Sequence, residues 1–374
     1  MFLYREARAD DEESILDLAR HLNTLNLPQS REYIQQLIAT SRASFRGGEA
    51  PERFDAGRRF LFVLTTPQDN RVVGTSMIFA QHGTPEEPHV FFRVEEQERF
   101  ANLHLQGVRR DVHMRHTTLT LGMTYDGPSE VGGLVLHPDF RGHPDKLGRL
   151  LSLGRFVFLA MRRAWFRDTV LAELLPPLSR SIEGTRSQLW DALGRRFTGL
   201  SYDEADALSR SDKRFIWQLF PMSPVHVSLL PEAVRDVIGK IGNDSEGARR
   251  LLHRIGFRAS DRIDPFDGGP HLEAVTDEIS LVRDARWYRP CLQTDDGAGV
   301  AAMVGVPGEE GGGFRAVSAL VQVHSSGEEG ELARVGLSEA TLARLDLDPA
   351  DDAAHTGARV MVALRPRRRR EDLL

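Results

Sequence analysis

A single cysteine, Cys291, stands in this chain of 374 residues, so no intramolecular disulfide can form. Lysine is almost as scarce, occurring only as Lys146, Lys213 and Lys240, and arginine carries nearly all the basic charge. That bias reflects codon usage more than function, and no mechanism is drawn from it. No apolar run approaches the roughly 18 residues needed to cross a bilayer, which excludes a membrane-spanning helix. The opening MFLYREARADDEES lacks the basic-then-apolar order of a secretory leader, and with one thiol this leads us to expect a reducing cytoplasm. A formal net charge of −6 leaves no global basic field for nucleic acid. The local exception, Arg365–Arg370 (RPRRRR), reads as a solvated end before it reads as a site for nucleic acid or an acidic partner. Internal repeats and long low-complexity segments are also missing, which sets aside solenoid and disordered classes.

What remains is ordinary globular material, 41% hydrophobic and 27% charged, in a chain long enough for two unequal parts. FLYREAR reads as a strand, followed by Asp10 and Asp11 as cap candidates and a helix carrying Ile15, Leu16, Ala19 and Leu22. A second helix starts near Pro28–Ser30 with Tyr33, Ile34, Leu37 and Ile38 on one face, until Gly47–Gly48 interrupts it. RFLFVLT and VVGTSMIFA, joined by the turn at Pro67–Asn70, read as an antiparallel hairpin. Strands are expected at Val90–Val94, Thr117–Met123, Thr169–Leu174 and Lys213–Phe220, and short helices at Gln188–Phe197 and Ala248–Ile255, the latter closed by Gly256. From Trp287 the texture turns Gly-rich and β-prone. We therefore expect a main region over 1–286, a small β-rich C-terminal domain over 287–364 and a polar tail over 365–374.

The most informative segment is EVGGLVLHPDFRGHPDKLGRLLSLGRFVFLAMRRAWF, a buried strand, a turn-rich loop and a long amphipathic helix. Such a unit suits a nucleotide-linked thioester. Backbone N–H groups at a helix start can hold a pyrophosphate, and a strand edge can pair with the amide arm that follows it. Leu134, Val135 and Leu136, then Arg141 and Gly142, then Gly148 and Arg149 fall in that order, with Lys146 where a glycine is customary. This resembles motif A of the GNAT acyl-CoA N-acyltransferases, and ARRLLHRIGF at Ala248–Phe257 resembles a later helix of the same superfamily. The competing reading, that Gly142 and Gly148 only permit a turn in some other α/β unit, is the weaker one because both segments occur in order. The implied fold is α+β, a GNAT-like mixed and largely antiparallel sheet flanked by helices.

Longer stretches narrow the resemblance. LVLHPDFRG, GRLLSLGRFVFLA, LWDALGRRF, YDEAD, FIWQLFP, RDVIGKIG and RIGFRASDRIDPFDGGPHLEA, spread over about residues 1–290, are similar to the arginine N-succinyltransferase family. The resemblance implies transfer of a succinyl group from succinyl-CoA to the α-amino group of L-arginine, in arginine catabolism, with no metal. It implies Leu134 as a main-chain contact to succinyl-CoA. It also places the family's catalytic histidine at Gly242 and the thiolate acid common in GNAT enzymes at Leu252. His226, in SPVHVS, is the substitute catalytic candidate because imidazole titrates near neutral pH, with His137 and His253 behind it. For each of these the reading as a hydrogen-bonded surface histidine is the commoner one.

A cationic substrate needs carboxylates, and Asp264, Asp267 and Glu273 in the FDGGP stretch supply candidates, balanced against Asp267 merely capping a turn. Arg141, Arg149 and Arg155 are the candidates for the succinyl carboxylate, in competition with the phosphates. Two alternatives stay open: transfer to another amine or from another acyl-CoA, and a non-catalytic subunit that pairs with an active paralogue. The expected partners are small molecules, and homo- or hetero-oligomers are both compatible with the sequence.

Overall fold

The computed structural model describes residues 1–21, 27–47, 53–181, 184–210, 212–293, 299–308, 313–324, 332–348 and 358–364. The chain opens with β1 (Leu3–Glu6), α1 (Glu12–His21) and α2 (Arg31–Phe45). Asp11 accepts from the backbone N–H of Arg8 at 2.7 Å and pairs with the buried Arg5, which fixes the turn between strand and helix. Strands β2 (Arg59–Thr65) and β3 (Val72–Phe79) form the expected hairpin. Next come β4 (His89–Leu105), β5 (Val108–Thr124), β6 (Ser129–Leu136), α3 (Leu147–Met161), β7 (Thr169–Glu173) and the small pair β8 (Ser179–Ser181) and β9 (Gly184–Arg186). A π-helical turn at Trp190–Gly194 leads into α4 (Arg195–Thr198), α5 (Tyr202–Ser209), α6 (Arg214–Leu219), β10 (Val225–His226), α7 (Glu232–Arg235) and α8 (Glu246–Ile255). The chain continues through β11 (Arg258–Ile263), β12 (Pro270–Val275), α9 (Ser280–Arg283), β13 (Arg286–Leu292), β14 (Val300–Pro307), β15 (Phe314–His324), β16 (Arg334–Leu337), α10 (Glu339–Leu345) and β17 (Val360–Leu364).

One mixed sheet runs through most of these strands, in the order β10-β5-β4-β11-β12-β7-β6-β3-β2-β1-β15-β14-β17-β13-β16. The segment expected as a β-rich appendage is thus hydrogen-bonded to the first strand, through Tyr4↔Ala316 and Arg5↔Arg315. It has its own apolar cluster around Val304, Val317, Val335 and Val362. It also enters the main core, where Phe314 packs 5.2 Å from Phe158 of α3, itself 4.9 Å from Phe60 and 5.2 Å from Phe45. Aromatic contacts of this kind bind the two regions through burial and edge-to-face geometry. Among the described residues no helix is long and apolar enough to cross a membrane.

One expected strand is a helix. Lys213–Phe220 contains α6, because Ile216 and Phe220 lie four residues apart and both bury beside Trp190 and Phe92. Asp212, one residue ahead of the Lys213 cap, accepts from the N–H of Arg214 at 2.8 Å. The aromatic and β-branched residues of KRFIWQLF favour strand locally, and tertiary burial overrides them. The strands expected at Val90–Val94 and Thr117–Met123 are the inner ends of β4 and β5, whose outer halves form an exposed two-stranded ribbon. Leu22 and the Arg365–Arg370 tail lie outside the described residues.

If 287–364 were an independent unit, a chain cut after Ala285 would keep its stability. Loss of β15 strips β1 of a partner and Phe158 of Phe314, so we expect the truncated chain to show no cooperative unfolding transition by circular dichroism.

Candidate functional site

Strands β6 and β7 are parallel neighbours that meet only at Ser129↔Val170 and Glu130↔Leu171. Beyond that point β7 pairs with β12 and β6 pairs with β3, so the facing edges of β6 and β7 diverge. The cause is local. Between Gly132 and Val135 strand β6 carries one residue more than β3 carries between Met77 and Thr75, and Gly133 takes φ +57 at that bulge. Thr75 Oγ1 donates to the Gly133 carbonyl at 3.1 Å, and a Cβ on Gly133 would meet Met77 at 2.7 Å. The bulge is therefore pinned from the β3 side and needs glycine there.

The parting opens a cavity of about 970 Å³. Gly132, Gly133, Leu134, Val135 and Leu136 line one side, and Ala172, Glu173 and Leu174 the other. Arg141 and Arg155 also line it. Arg155, on α3, is buried and donates to the carbonyls of Gly132 at 3.2 Å and Ser152 at 3.1 Å; burial pushes its pKa down to about 10. Gly142, Lys146, Gly148 and Arg149 do not line the cavity. Gly142 and Lys146 lie in the turn into α3 and Gly148 and Arg149 in its first turn, with Lys146 exposed at φ +56 ahead of the first helical N–H groups. A Cβ on Gly142 or on Gly148 would meet nothing within 4 Å, so the backbone there is open to approach.

An acidic end of the cavity is built by Asp203, Asp206, Asp264 and Asp267. Asp264 accepts from the N–H groups of Phe266 and Asp267, and Asp267 from that of Gly269. Burial, with the nearby Glu173 charge, pushes Asp264 up to about 7; burial and Asp264 hold Asp267 well above the usual carboxylate range. Glu273 does not line the cavity; it is half-buried on β12, 3.9 Å from Arg262.

The fork between β6 and β7 carries a group of side chains that sequence reasoning missed. His82 Nδ1 bonds the carboxylate of Glu130, and the ring of His82 stands 4.1 Å from that of His89. His89 Nε2 and His271 Nε2 each lie 3.4 Å from Glu173 Oε1. Burial pulls His82 down, but the Glu130 carboxylate outweighs it and raises the imidazole above its ordinary value. Burial pushes His89 down to about 3 and lowers His271 as well. Burial would raise Glu173, yet His271, His89 and His82 together hold it below the usual range. These residues come from a loop, four strands and widely separated parts of the sequence. The one available signal was Glu173 ending an otherwise apolar strand, TVLAE.

His226 is exposed on β10, its ring 6.3 Å from His116, and takes no part in lining the cavity. His226 therefore stands apart from the residues that line the cavity. His137 accepts from the Asp139 N–H at 3.3 Å, and His253 is half-buried on α8; neither lines the cavity. Leu252 does. Gly242 is packed so tightly that a Cβ would meet the Pro176 carbonyl oxygen at 2.7 Å. Its N–H donates to the Leu175 carbonyl at 2.9 Å, so a histidine could stand there only after the backbone moved.

Residues 2–281 match the family model described as arginine N-succinyltransferase beta subunit. The arginine N-succinyltransferase of Yersinia pestis is 33% identical over 289 residues, covering 76% of this chain and 78% of that protein. The arginine N-succinyltransferase subunit beta of Pseudomonas aeruginosa is 34% identical over 288 residues, covering 76% and 79%. The solved structure of the arginine/ornithine succinyltransferase subunit AI from Pseudomonas aeruginosa superposes with a TM-score of 0.72 at 25% identity, covering 97% of this chain and 98% of that one. A mixed α/β sheet flanked by helices, with these relatives, makes the chain an acyltransferase by class. More narrowly, it belongs to the arginine N-succinyltransferase family.

The raised Asp264 gives a pH test with a definite sign. A carboxyl whose folded pKa lies above its unfolded one stabilises the fold fully below about 4 and loses that contribution as pH rises through about 7. Asp264→Asn should match the parent near pH 4 and exceed its unfolding free energy by on the order of 1–2 kcal/mol at pH 8, measured by denaturant titration.

Proposed function

We propose that this protein is a GNAT-type N-acyltransferase that moves the succinyl group of succinyl-CoA to the α-amino group of arginine, in the cytoplasm. The parting of β6 from β7 is the observation that carries the reading. Beyond Glu130 the edge of β6 that turns away from β3 has no strand partner in β7, and such an edge suits the two amides of a pantetheine arm, since buried backbone groups require partners. The turn at Gly142–Arg149 brings open backbone to the start of α3, where the helix dipole favours phosphate. Arg141 and Arg155 give the cavity cationic groups for phosphate or for the succinyl carboxylate.

At the other end, Asp264 and Asp267 fit the guanidinium of arginine. Buried carboxyls held above the usual carboxylate range, with backbone N–H groups as their donors, ionise readily once a fixed cation arrives. With both substrates held in one cavity, the amine attacks the thioester carbonyl, the C–N bond forms and the C–S bond breaks, and the ammonium proton leaves through solvent. Positioning of two reactants supplies much of such a rate enhancement without a dedicated side-chain base.

Gly242 favours a second reading, a subunit that keeps the cleft but turns over only beside an active paralogue, because no side chain fits at that position. Thiol release by the isolated chain separates the two. We expect saturable release from succinyl-CoA that depends on arginine; binding of both substrates with no release would favour the second reading. Asp267→Asn should raise the arginine KM by about 10-fold or more, as expected for a lost charge-assisted contact, with succinyl-CoA affinity unchanged by calorimetry. His226→Ala should leave both parameters as they are.

A further inference from the structure

The fork residues do not behave as packing. His89 and His271 are 1% and 0% exposed, and among the described residues neither ring nitrogen of either one has a hydrogen-bond partner. Both approach Glu173 Oε1 at 3.4 Å without hydrogen-bond alignment. A buried imidazole must carry at least one N–H, and leaving it unmet costs about 1–3 kcal/mol. An apolar side chain would fill the same space without that cost.

We infer that His82, His89 and Glu173 hold a divalent transition-metal ion, with zinc the best fit. One ligand atom from each lies within 4.8 Å of the others. The 3.4 Å between His89 Nε2 and Glu173 Oε1 is already close to the edge of a tetrahedron whose centre is about 2.1 Å from each ligand, so modest side-chain rotation closes the set. Two imidazole nitrogens and one carboxylate oxygen form the mixed set that suits zinc and its neighbours, and not the all-oxygen set of magnesium or calcium.

The surroundings agree. His82 bonds Glu130 through Nδ1, which leaves Nε2 for the ion and fixes the ring by the carboxylate contact usual behind a metal-bound histidine. His271 lies 3.4 Å from the same Glu173 oxygen and stacks 5.4 Å from His89. All three ligands line the cavity while His271 does not, so a fourth coordination position faces the space where substrate would enter. An oxygen-bearing acyl or carboxylate group is the class of ligand that would complete it. The inference stands on this geometry and does not depend on which acyl-CoA or amine is used.

The test uses the untagged full-length chain, stripped with chelator, dialysed and titrated with zinc against a chromophoric competitor. We expect about one equivalent bound per chain and, with cobalt in place of zinc, visible d–d bands of the intensity typical of four-coordination. His89→Ala and the near-isosteric Glu173→Gln should abolish stoichiometric binding. Glu130→Gln, which disturbs only the support of His82, should weaken binding by about 10–100-fold. Far-ultraviolet circular dichroism checks that each variant is folded, and Glu173→Gln carries the test if His89→Ala is not. Absence of zinc binding in the parent, or unchanged stoichiometry in folded His89→Ala or Glu173→Gln, overturns the inference. Neither result bears on arginine-dependent thiol release, which is read in a separate assay.

Discussion

The separation of two parallel strands after two residue pairs governs this molecule. β6 and β7 begin as neighbours at Ser129–Glu130, and the extra residue around Gly133 then swings β6 away. Each strand keeps its other partner, β3 or β12, so the sheet loses hydrogen bonds on only one pair of edges. The loss leaves a cavity with a backbone wall on one side and charged side chains on the other. Burial of α3 against the sheet holds the arrangement, through Ser76 donating to the Leu151 carbonyl at 3.2 Å and Arg155 reaching the Gly132 carbonyl.

Much of this was legible in the sequence because it is local. Strand, turn and helix over Glu130–Phe166 follow from a β-rich run, a Pro-Gly-Asp loop and helical spacing of leucines, and the structure has them in that order. Two kinds of feature were not legible. A short segment such as KRFIWQLF has a strand-like composition, and only its burial against Trp190 makes it helical. The grouping of His82, His89, Glu173 and His271 depends on strand register, above all the pairing of His271 with Glu173 across β12 and β7. Register is set by the whole sheet, and no spacing within one segment reveals it.

The same limit explains His226. It was a candidate because imidazole titrates near neutral pH, a property that says nothing of position, and β10 is an edge strand on β5 at one end of the sheet. Conversely Asp264 and Asp267 belong to a compact turn, and such turns can be read locally. What the sequence left even, capping against substrate contact, the fold combines: both carboxyls accept backbone N–H bonds and both line the cavity. Gly242 shows the opposite case, where a position assigned by resemblance is filled by neighbouring backbone and the polar chemistry lies elsewhere on the wall.

All of this rests on the exposed edge of β6 serving as the binding edge for a thioester arm. A crystal structure of the full chain grown with coenzyme A examines that directly. The account predicts a pantetheine arm running between β6 and β7, with its amides bonded to main-chain groups of Gly132–Leu136 and its pyrophosphate at the start of α3. Coenzyme A bound on any other surface, with the space between the two strands closed by the protein's own side chains, would contradict it.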